Sequence, residues 1–443
     1  MDFQIDPSFE PIRQMLGWLG KSKLRPLGIE ADRQGGPLPP DHPFFKEVLS
    51  MGMTGGFVGK LKDNKVPRDD DGRPRRTSRR AVVLAEEAAY WDRGMATSLP
   101  GPSLGGAPVM LTGTDAQKEH YLGMFKDKTT PRWGAFAMSE PGAGSDVARI
   151  RTRAKRDGDS YVLSGEKCFI SNGARASWAV VWATIDPALG RSGHRAFLVD
   201  QGTPGFTVAC IEKKMGLAAS ETASLVFDGC RVPESALLGG EEAYAGKGGF
   251  KSAMKAFDMT RPLVAAMGVG MGRAAYDETL RVARERFTGP SSWRLSRVQD
   301  RLVRVRRKLE MGRMLAWKAA WLADHKRPNA VEAGMAKAYC AQLGLEAASL
   351  GLEVLGESGG ASDYLVEKIF RDVKALDIVE GTQQIQRVVI ARRLIGYTED
   401  RGRSTGASEA STSNGSGAKD SSNGSADTAE DSSTHTPAGA THV

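Results

Sequence analysis

The sequence predicts an α+β protein of 443 residues: a helical N-terminal domain, a small β barrel or sandwich, and a C-terminal helical domain resembling a four-helix bundle. Three observations carry this prediction. Apolar residues recur at helical spacing in the first third, short β-branched and aromatic runs fill residues 133–232, and long Ala-, Leu- and Arg-rich stretches with few breakers follow. The length is about three times a ~150-residue domain, enough for several units around a large core. The expected boundaries are 1–131, 132–245 and 246–398, with a disordered tail over 399–443.

In the N-terminal region Phe9, Ile12, Met15, Leu16 and Leu19 step by three and four, and Ala81 to Ala89 consists mostly of strong helix formers. Between them Lys60 to Arg80 reads KLKDNKVPRDDDGRPRRTSRR, a solvated loop; no aromatics interleave its bases, so nucleic-acid binding is not expected. The middle runs WGAFAM, SYVLSG, CFISNG, WAVVWATI, RAFLVD, FTVACI and SLVFDGCRV are separated by Gly, Asp, Asn and Pro, as strands are. The longest apolar run, Trp178 to Ile185, is strand-sized and too short for a bilayer span. Farther on, Val298, Leu302, Val305 and Leu309 mark one face of a helix.

From Thr398 onward there is no Leu, Ile, Met or aromatic residue, which predicts disorder and no effect of its deletion on activity. Seven acids against three bases make this tail −4, so a net charge of +8 leaves +12 on the remainder, compatible with an anionic ligand. Cys168, Cys210, Cys230 and Cys340 show no CxxC spacing and are expected to be reduced packing residues; the six histidines form no metal-ligand pattern, and no metal is expected. The start, MDFQIDPSFE, lacks the basic and apolar regions of a secretory leader, and cytoplasmic residence is the expectation.

Four strings carry chemistry. Met138-Ser-Glu-Pro-Gly-Ala-Gly-Ser-Asp146 follows the strand Trp133 to Ala137; its glycines let backbone approach a polar ligand, and its hydroxyls satisfy oxygens. Gly165-Glu-Lys-Cys-Phe-Ile-Ser-Asn-Gly173 puts Phe169 and Ser171 two positions apart, on one strand face, suited to covering a flat ring and bonding its edge. Phe257-Asp-Met-Thr-Arg-Pro262 reads as the opening of a helix, with Arg261 a solvated cation. In Arg371-Asp-Val-Lys-Ala-Leu-Asp-Ile-Val-Glu-Gly-Thr-Gln-Gln-Ile-Gln-Arg387, the apolar Ile378 and Val379 before Glu380 and Gly381 place a carboxylate at a helix–loop junction facing a pocket, where partial desolvation raises its pKa toward that of a general base.

Together these strings resemble the signatures of the acyl-CoA dehydrogenase family, in the family's order and over residues 5–396, most like its medium-chain and short-chain branch. The resemblance implies FAD-dependent α,β-dehydrogenation of an acyl-CoA thioester. Glu380 is then the base; the alternative base position of some relatives falls near Phe257 to Met267, whose sole acid, Asp258, belongs to the motif. Phe136, Met138, Ser139, Gly144, Ser145, Phe169, Ile170, Ser171, Thr382 and Gln384 are the implied flavin contacts, while Arg286, Gln299, Glu353 and Gly356 belong to the arm that meets a neighbouring subunit's FAD. Ser145, Phe257, Asp258, Thr260, Arg261 and Gly381 are implied at the substrate. Electron-transfer flavoprotein as acceptor and a homotetramer are implied as well.

The chain departs from the family pattern in places. Arg286-Phe-Thr-Gly-Pro-Ser-Ser-Trp293 carries about two extra residues before Gln299, and Glu353 stands where relatives have an amide, which would repel a pyrophosphate. Ala218 stands where relatives often have arginine, and Val379 replaces a tyrosine, which favours a branched, cyclic or unusual acyl group. An acyl-carrier-protein dehydrogenase, an oxidase or a flavin-poor structural subunit are the alternatives.

Overall fold

In the computed structural model, residues 5–55, 77–244, 248–286, 293–361 and 364–396 are described. The expected tail and residues 60–76 of the expected loop lie outside them. Helix α1 (Glu10–Leu19) runs through a π turn (Gly20–Leu24) into α2 (Arg25–Gln34), and α3 (Pro43–Ser50) follows. The π turn needs a glycine: a Cβ on Gly20 would lie 2.0 Å from the Trp91 ring. Leu19, Leu24, Phe44, Phe45 and Val48 form one apolar cluster with Met95, Leu99 and Trp133.

Helix α4 (Thr77–Ser98) corrects the expected loop, because Thr77 to Arg80 are already helical. Their cap comes from far along the chain: Asp324 accepts the Ser78 N–H at 2.6 Å and pairs with Arg79 Nε at 2.8 Å. The helix breaks at Asp92, whose backbone is extended (φ −162°, ψ 116°). Short helices α5 (Gly106–Thr112) and α6 (Asp115–Gly123) follow, the latter opened by a Thr114–Gln117 capping box.

The middle region is one seven-stranded mixed sheet of β1 (Gly134–Ala137), β2 (Arg153–Asp157), β3 (Ser160–Ser171), β4 (Trp178–Thr184), β5 (His194–Asp200), β6 (Phe206–Ile211) and β7 (Thr222–Pro233). Strand order is β1-β4-β2-β3-β7-β6, with β5 also on β4. Every residue of β4 is buried: Trp178, Val180 and Trp182 face one apolar cluster, Ala179, Val181 and Ala183 the other. A strand covered on both faces explains its unbroken apolar run. Two sequence readings change here. The charged β2 has no apolar alternation and was not expected, and SYVLSG and CFISNG are one strand, β3, with irregular register at Leu163/Gly165 and Lys167/Ile170.

The C-terminal helices are α7 (Gly248–Arg286), α8 (Trp293–Asp324), α9 (Ala330–Leu355), α10 (Leu365–Ile378) and α11 (Gln383–Leu394). Small residues let α7 and α9 cross closely; a Cβ on Gly268 would meet the Cys340 carbonyl at 2.6 Å. The expected helix opening at Phe257 is a second correction. That motif sits inside α7, and Pro262 interrupts its bonding ladder. The carbonyl Pro262 leaves free, that of Asp258, accepts from Asn329 Nδ2 at 3.2 Å, so a distant side chain makes the proline tolerable. The architecture is the expected α+β class. Cys168, Cys230 and Cys340 are buried thiols, while Cys210 is exposed rather than packed. Among the described residues no helix is long and apolar enough to cross a membrane.

Candidate active site

The loop after β1 is anchored from inside. Glu140 accepts from Arg151 N (2.5 Å), Thr152 N (2.9 Å), Thr152 Oγ1 (2.6 Å) and the fully buried Lys167 Nζ (2.7 Å), and Lys167 also donates to the Met138 carbonyl at 3.1 Å. Burial opposes ionisation of Glu140, but the Lys167 ammonium and these donors outweigh it and hold the carboxyl below its ordinary range; burial lowers Lys167 to about 8. Both residues lie within the quoted strings, yet nothing in those strings singles them out. Beyond this anchor the loop is open: Gly144 and Ser145 are exposed, and a Cβ on Gly142 or Gly144 would meet nothing within 4 Å. Ser139 is half-buried, and its carbonyl accepts the Cys168 N–H at 2.9 Å, which ties the loop to β3.

The β3 irregularity changes the expected presentation of its aromatic. Phe169 adopts φ 57°, a left-handed conformation costly for a bulky residue, and is 65% exposed between buried Cys168 and Ile170. Strand alternation therefore fails there, so a shared face for Phe169 and Ser171 does not follow from it; Ser171 is half-buried. Ile170 at 2% exposure and Met138 at 3% point into the core, so any ligand contact from them comes through backbone.

The interior motif of α7 meets both this sheet and the loop carrying Glu380. The Phe257 ring packs edge-on to Phe136 at 5.8 Å. Thr260 Oγ1 donates to Glu380 Oε2 at 2.7 Å, and Arg261 bonds Asp258 at 2.9 Å and reaches the Glu380 carbonyl at 3.5 Å. Arg261 is 7% exposed, which replaces the expected solvated cation with a buried one.

Glu380 itself lies just past the C-cap of α10, at φ 54°, followed by Gly381 at φ 90°. The turn is held from below. Lys337 Nζ, fully buried in α9, donates to the Gly381 carbonyl at 2.7 Å and the Asp377 carbonyl at 3.4 Å, and Gln386 Nε2 donates to the Glu380 carbonyl at 3.2 Å. Burial raises the Glu380 carboxyl above its ordinary range despite the opposing Thr260 hydroxyl and the charges of Arg261, Arg93 and Lys337. Burial also pushes Lys337 down to about 8. Ile378 and Val379 leave apolar surface open beside the carboxylate. Thr382 Oγ1 accepts the Ile385 N–H at 3.3 Å at the start of α11, and Gln384 points to solvent. Lys337 and Gln386 were missed, although a lone lysine in the Ala-rich run Met335-Ala-Lys-Ala-Tyr339 was a usable signal.

Arg286, Gln299, Glu353 and Gly356 gather elsewhere, around the C-terminal end of α9. Arg286 Nη1 donates to the Leu355 carbonyl at 2.7 Å, Gly356 ends the helix at φ 65°, and Gln299 is exposed two residues before Arg301. Arg301 grips Glu353 with both terminal nitrogens, Nη2 at 2.8 Å, and holds its carboxyl below the ordinary range. The expected repulsive charge at Glu353 is thus neutralised. Along α9, Glu353 lies roughly 24 Å from Lys337 at 1.5 Å per residue, so one chain does not bring this cluster to Glu380.

Comparison with known proteins accords with this arrangement. Residues 135–230 match the family described as acyl-CoA dehydrogenase, middle domain, and residues 247–395 match acyl-CoA dehydrogenase, C-terminal domain. The chain is 34% identical over 400 residues to acryloyl-CoA reductase (NADH) of Anaerotignum propionicum, covering 89% of this chain and 96% of that one. It is 33% identical over 396 residues to the mouse mitochondrial short-chain specific acyl-CoA dehydrogenase, covering 88% and 91%. The solved butyryl-CoA dehydrogenase of Megasphaera elsdenii superposes with a TM-score of 0.77 at 31% identity, covering 89% of this chain and 100% of that one.

Proposed function

Because the chain belongs to the acyl-CoA dehydrogenase family, we propose that Glu380 removes the α proton of an acyl-CoA thioester. The protein is an oxidoreductase of the FAD-dependent acyl-CoA dehydrogenase class. The observation that carries the assignment of the base is a carboxylate with raised proton affinity, held by Thr260 at 2.7 Å beside open apolar surface.

The residues around the Gly142–Ser145 loop and β3 fit the flavin. An aromatic as large as Phe169 is left open to solvent beside glycine-rich backbone with room for a ligand and beside the Ser139 and Ser171 hydroxyls. In this reading Phe169 covers the ring system, Ser139, Ser145 and Ser171 bond its polar edges, and Phe136 supports the pocket through Phe257. FAD, when bound, supplies the acceptor for the hydride leaving the β carbon. The protein groups do the rest. Thr260 orients the carboxylate, Lys337 and Gln386 lock the turn that presents it, and the Glu380 N–H is available to the thioester oxygen as enolate character develops. Arg261, paired with Asp258, supports the turn from α7 through the Glu380 carbonyl.

Electron-transfer flavoprotein is the proposed electron acceptor, and a solved structure concerned with the electron transferring flavoprotein of Acidaminococcus fermentans superposes at 30% identity with a TM-score of 0.76. The separation of the Arg286–Gly356 cluster from Glu380 supports a symmetric oligomer in which that cluster serves the FAD of a second copy; four copies are proposed. Arg301→Ala should then leave the Glu353 carboxylate unpaired near a pyrophosphate and weaken FAD retention by about 3–5-fold, with Glu353→Gln in the same chain restoring it. Dialysis followed by the visible spectrum reads this directly.

The raised Glu380 carboxyl sets the acid limb of the rate profile. The active form is the carboxylate, so kcat/KM falls as pH drops through a pKa above the ordinary ~4.3 of glutamate. Thr260 stabilises the charged form, so Thr260→Val should move that limb to higher pH, and Thr260→Ser should return it. A pH series of anaerobic flavin bleaching by acyl-CoA tests both; an unmoved limb in Thr260→Val would remove Glu380 as its source.

A further inference from the structure

The chain reverses between α10 and α11 on two successive left-handed residues, Glu380 at φ 54° and Gly381 at φ 90°. Only the second is a glycine, so the backbone at Glu380 is strained and persists because groups outside the turn hold it. Two carbonyls of this reversal, those of Asp377 and Gly381, converge on Lys337 Nζ, at 3.4 Å and 2.7 Å. The Asp377 carbonyl is among the last four of α10, which no helix N–H reaches, so the ammonium caps that helix at the negative end of its dipole. Without a cation there, two carbonyl oxygens would face each other dry and the turn would relax.

Lys337 is fully buried in α9, between the buried Ala336 and Ala338. The charged groups that face it are the Asp377 carboxylate from α10, Glu380 from the turn and Arg261 from α7. Lys374 holds one Asp377 oxygen at 3.0 Å, and the other is sealed from solvent without a hydrogen bond. From α11 come two neutral amides, Gln383 on the Ala338 carbonyl and Gln386 on the Glu380 carbonyl. From α8 comes Lys318, spent farther along α9 on Glu332 at 3.7 Å. Burial brings the Lys337 ammonium down to about 8 against the pull of the Asp377 and Glu380 carboxylates, and Arg261 adds to the fall.

We infer that Lys337 is a positioning residue whose charge, rather than its bulk, sets how fast the base works: the ammonium holds the Glu380–Gly381 turn, and on losing its proton it lets the turn slacken. This rests on the assignment of Glu380 as base and adds a second titrating group to that site. A free amine still donates to both carbonyls, but a charge-assisted hydrogen bond is about twice as strong as a neutral one, so the turn loosens instead of opening. The carboxylate then spends less time aligned with the α proton, which lowers kcat and leaves KM nearly unchanged.

The test follows anaerobic bleaching of the FAD-loaded enzyme by butyryl-CoA between about pH 6 and pH 10, at saturating and limiting thioester. In the wild type kcat should fall about 5-fold above pH 8 to a plateau, with KM flat. Lys337→Met should be slower by roughly 10–100-fold throughout, with no alkaline fall. Lys337→Arg, charged at every pH used, should recover part of the rate and also lack the fall. A second readout needs no turnover: the protonated-carboxyl stretch of Glu380 in pH-difference infrared spectra, identified by its loss in Glu380→Gln. In Lys337→Met that carboxyl should titrate at higher pH, because the ammonium draws it down in the wild type; a lysine that only fills space would leave it unmoved. A wild-type kcat flat to pH 10 overturns the inference, as does an alkaline fall that survives either substitution or an infrared titration unmoved in Lys337→Met. If Lys337→Met does not fold, the alkaline fall in Lys337→Arg decides. If butyryl-CoA bleaches no flavin, the infrared titration decides. Glu380→Gln bleaching at the wild-type rate removes the base itself; a slow Glu380→Gln with an alkaline fall indifferent to Lys337 keeps the base and removes this inference alone.

Discussion

Replacing Glu380 by Gln should lower the rate of flavin bleaching by roughly 10²–10⁴-fold while leaving the protein folded and able to bind acyl-CoA. The carboxamide has nearly the same shape, and its oxygen can still accept from Thr260 Oγ1, the hydrogen bond the carboxylate accepts at 2.7 Å. What it loses is the ability to take a proton. The backbone of the turn is held independently of that side chain, by Lys337 on the Gly381 carbonyl and Gln386 on the Glu380 carbonyl, so the variant should keep the native position at residue 380. The measurement is a pair of anaerobic titrations: a spectral perturbation on binding that matches the wild type, followed by bleaching that is slowed by orders of magnitude. Bleaching within a few-fold of the wild type would place the base elsewhere.

Lys368→Met should be the most destabilising single change in the set, by about 3–5 kcal/mol, because it strips the cation from two buried carboxylates at once. Asp92 and Asp372 are 5% and 2% exposed, and Lys368 is 6% exposed. Burial resists the charge on Lys368, yet the two carboxylates override it and hold the ammonium well above the ordinary lysine range. Burial, with Asp92 adding to it, already raises the Asp372 carboxyl against the opposing pull of Lys368. Without the lysine, one carboxyl should take a proton in the folded state. A carboxyl whose folded pKa is raised destabilises the fold fully above that pKa and progressively less as pH falls from it to the lower unfolded value, so the deficit of Lys368→Met should narrow as pH falls from 7 toward 5. Urea unfolding at the two pH values tests the sign. A deficit that widens on acidification would show that the triad is not charged as drawn.

The legible part of this protein was what short stretches encode by themselves. Unbroken apolarity marked β4, three-to-four spacing marked α1, and the string around Glu380 placed a carboxylate after an apolar helix end, where the structure has it. A β region between two helical regions was legible for the same reason, since alternation and helical periodicity are local properties of backbone geometry, but its closure into one mixed sheet with a charged β2 was not. The flavin-side strings were recognisable as strings, but the exposure of Phe169 depends on an irregularity between β3 and β7 that no alternation rule contains.

What only the tertiary structure decided depends on partners far apart in the chain. Helix α4 begins at Thr77 because Asp324 caps it, and Pro262 is accommodated inside α7 with the Asp258 carbonyl it frees bonded by Asn329. Glu353 is paired with Arg301 from another helix, and the turn bearing Glu380 is held by Lys337 from a different helix. Sequence determined which groups exist and the local backbone that carries them; the satisfaction of buried charges and hydrogen bonds is a property of the whole fold, since a polar group's cost or use depends on which distant group reaches it once water is gone.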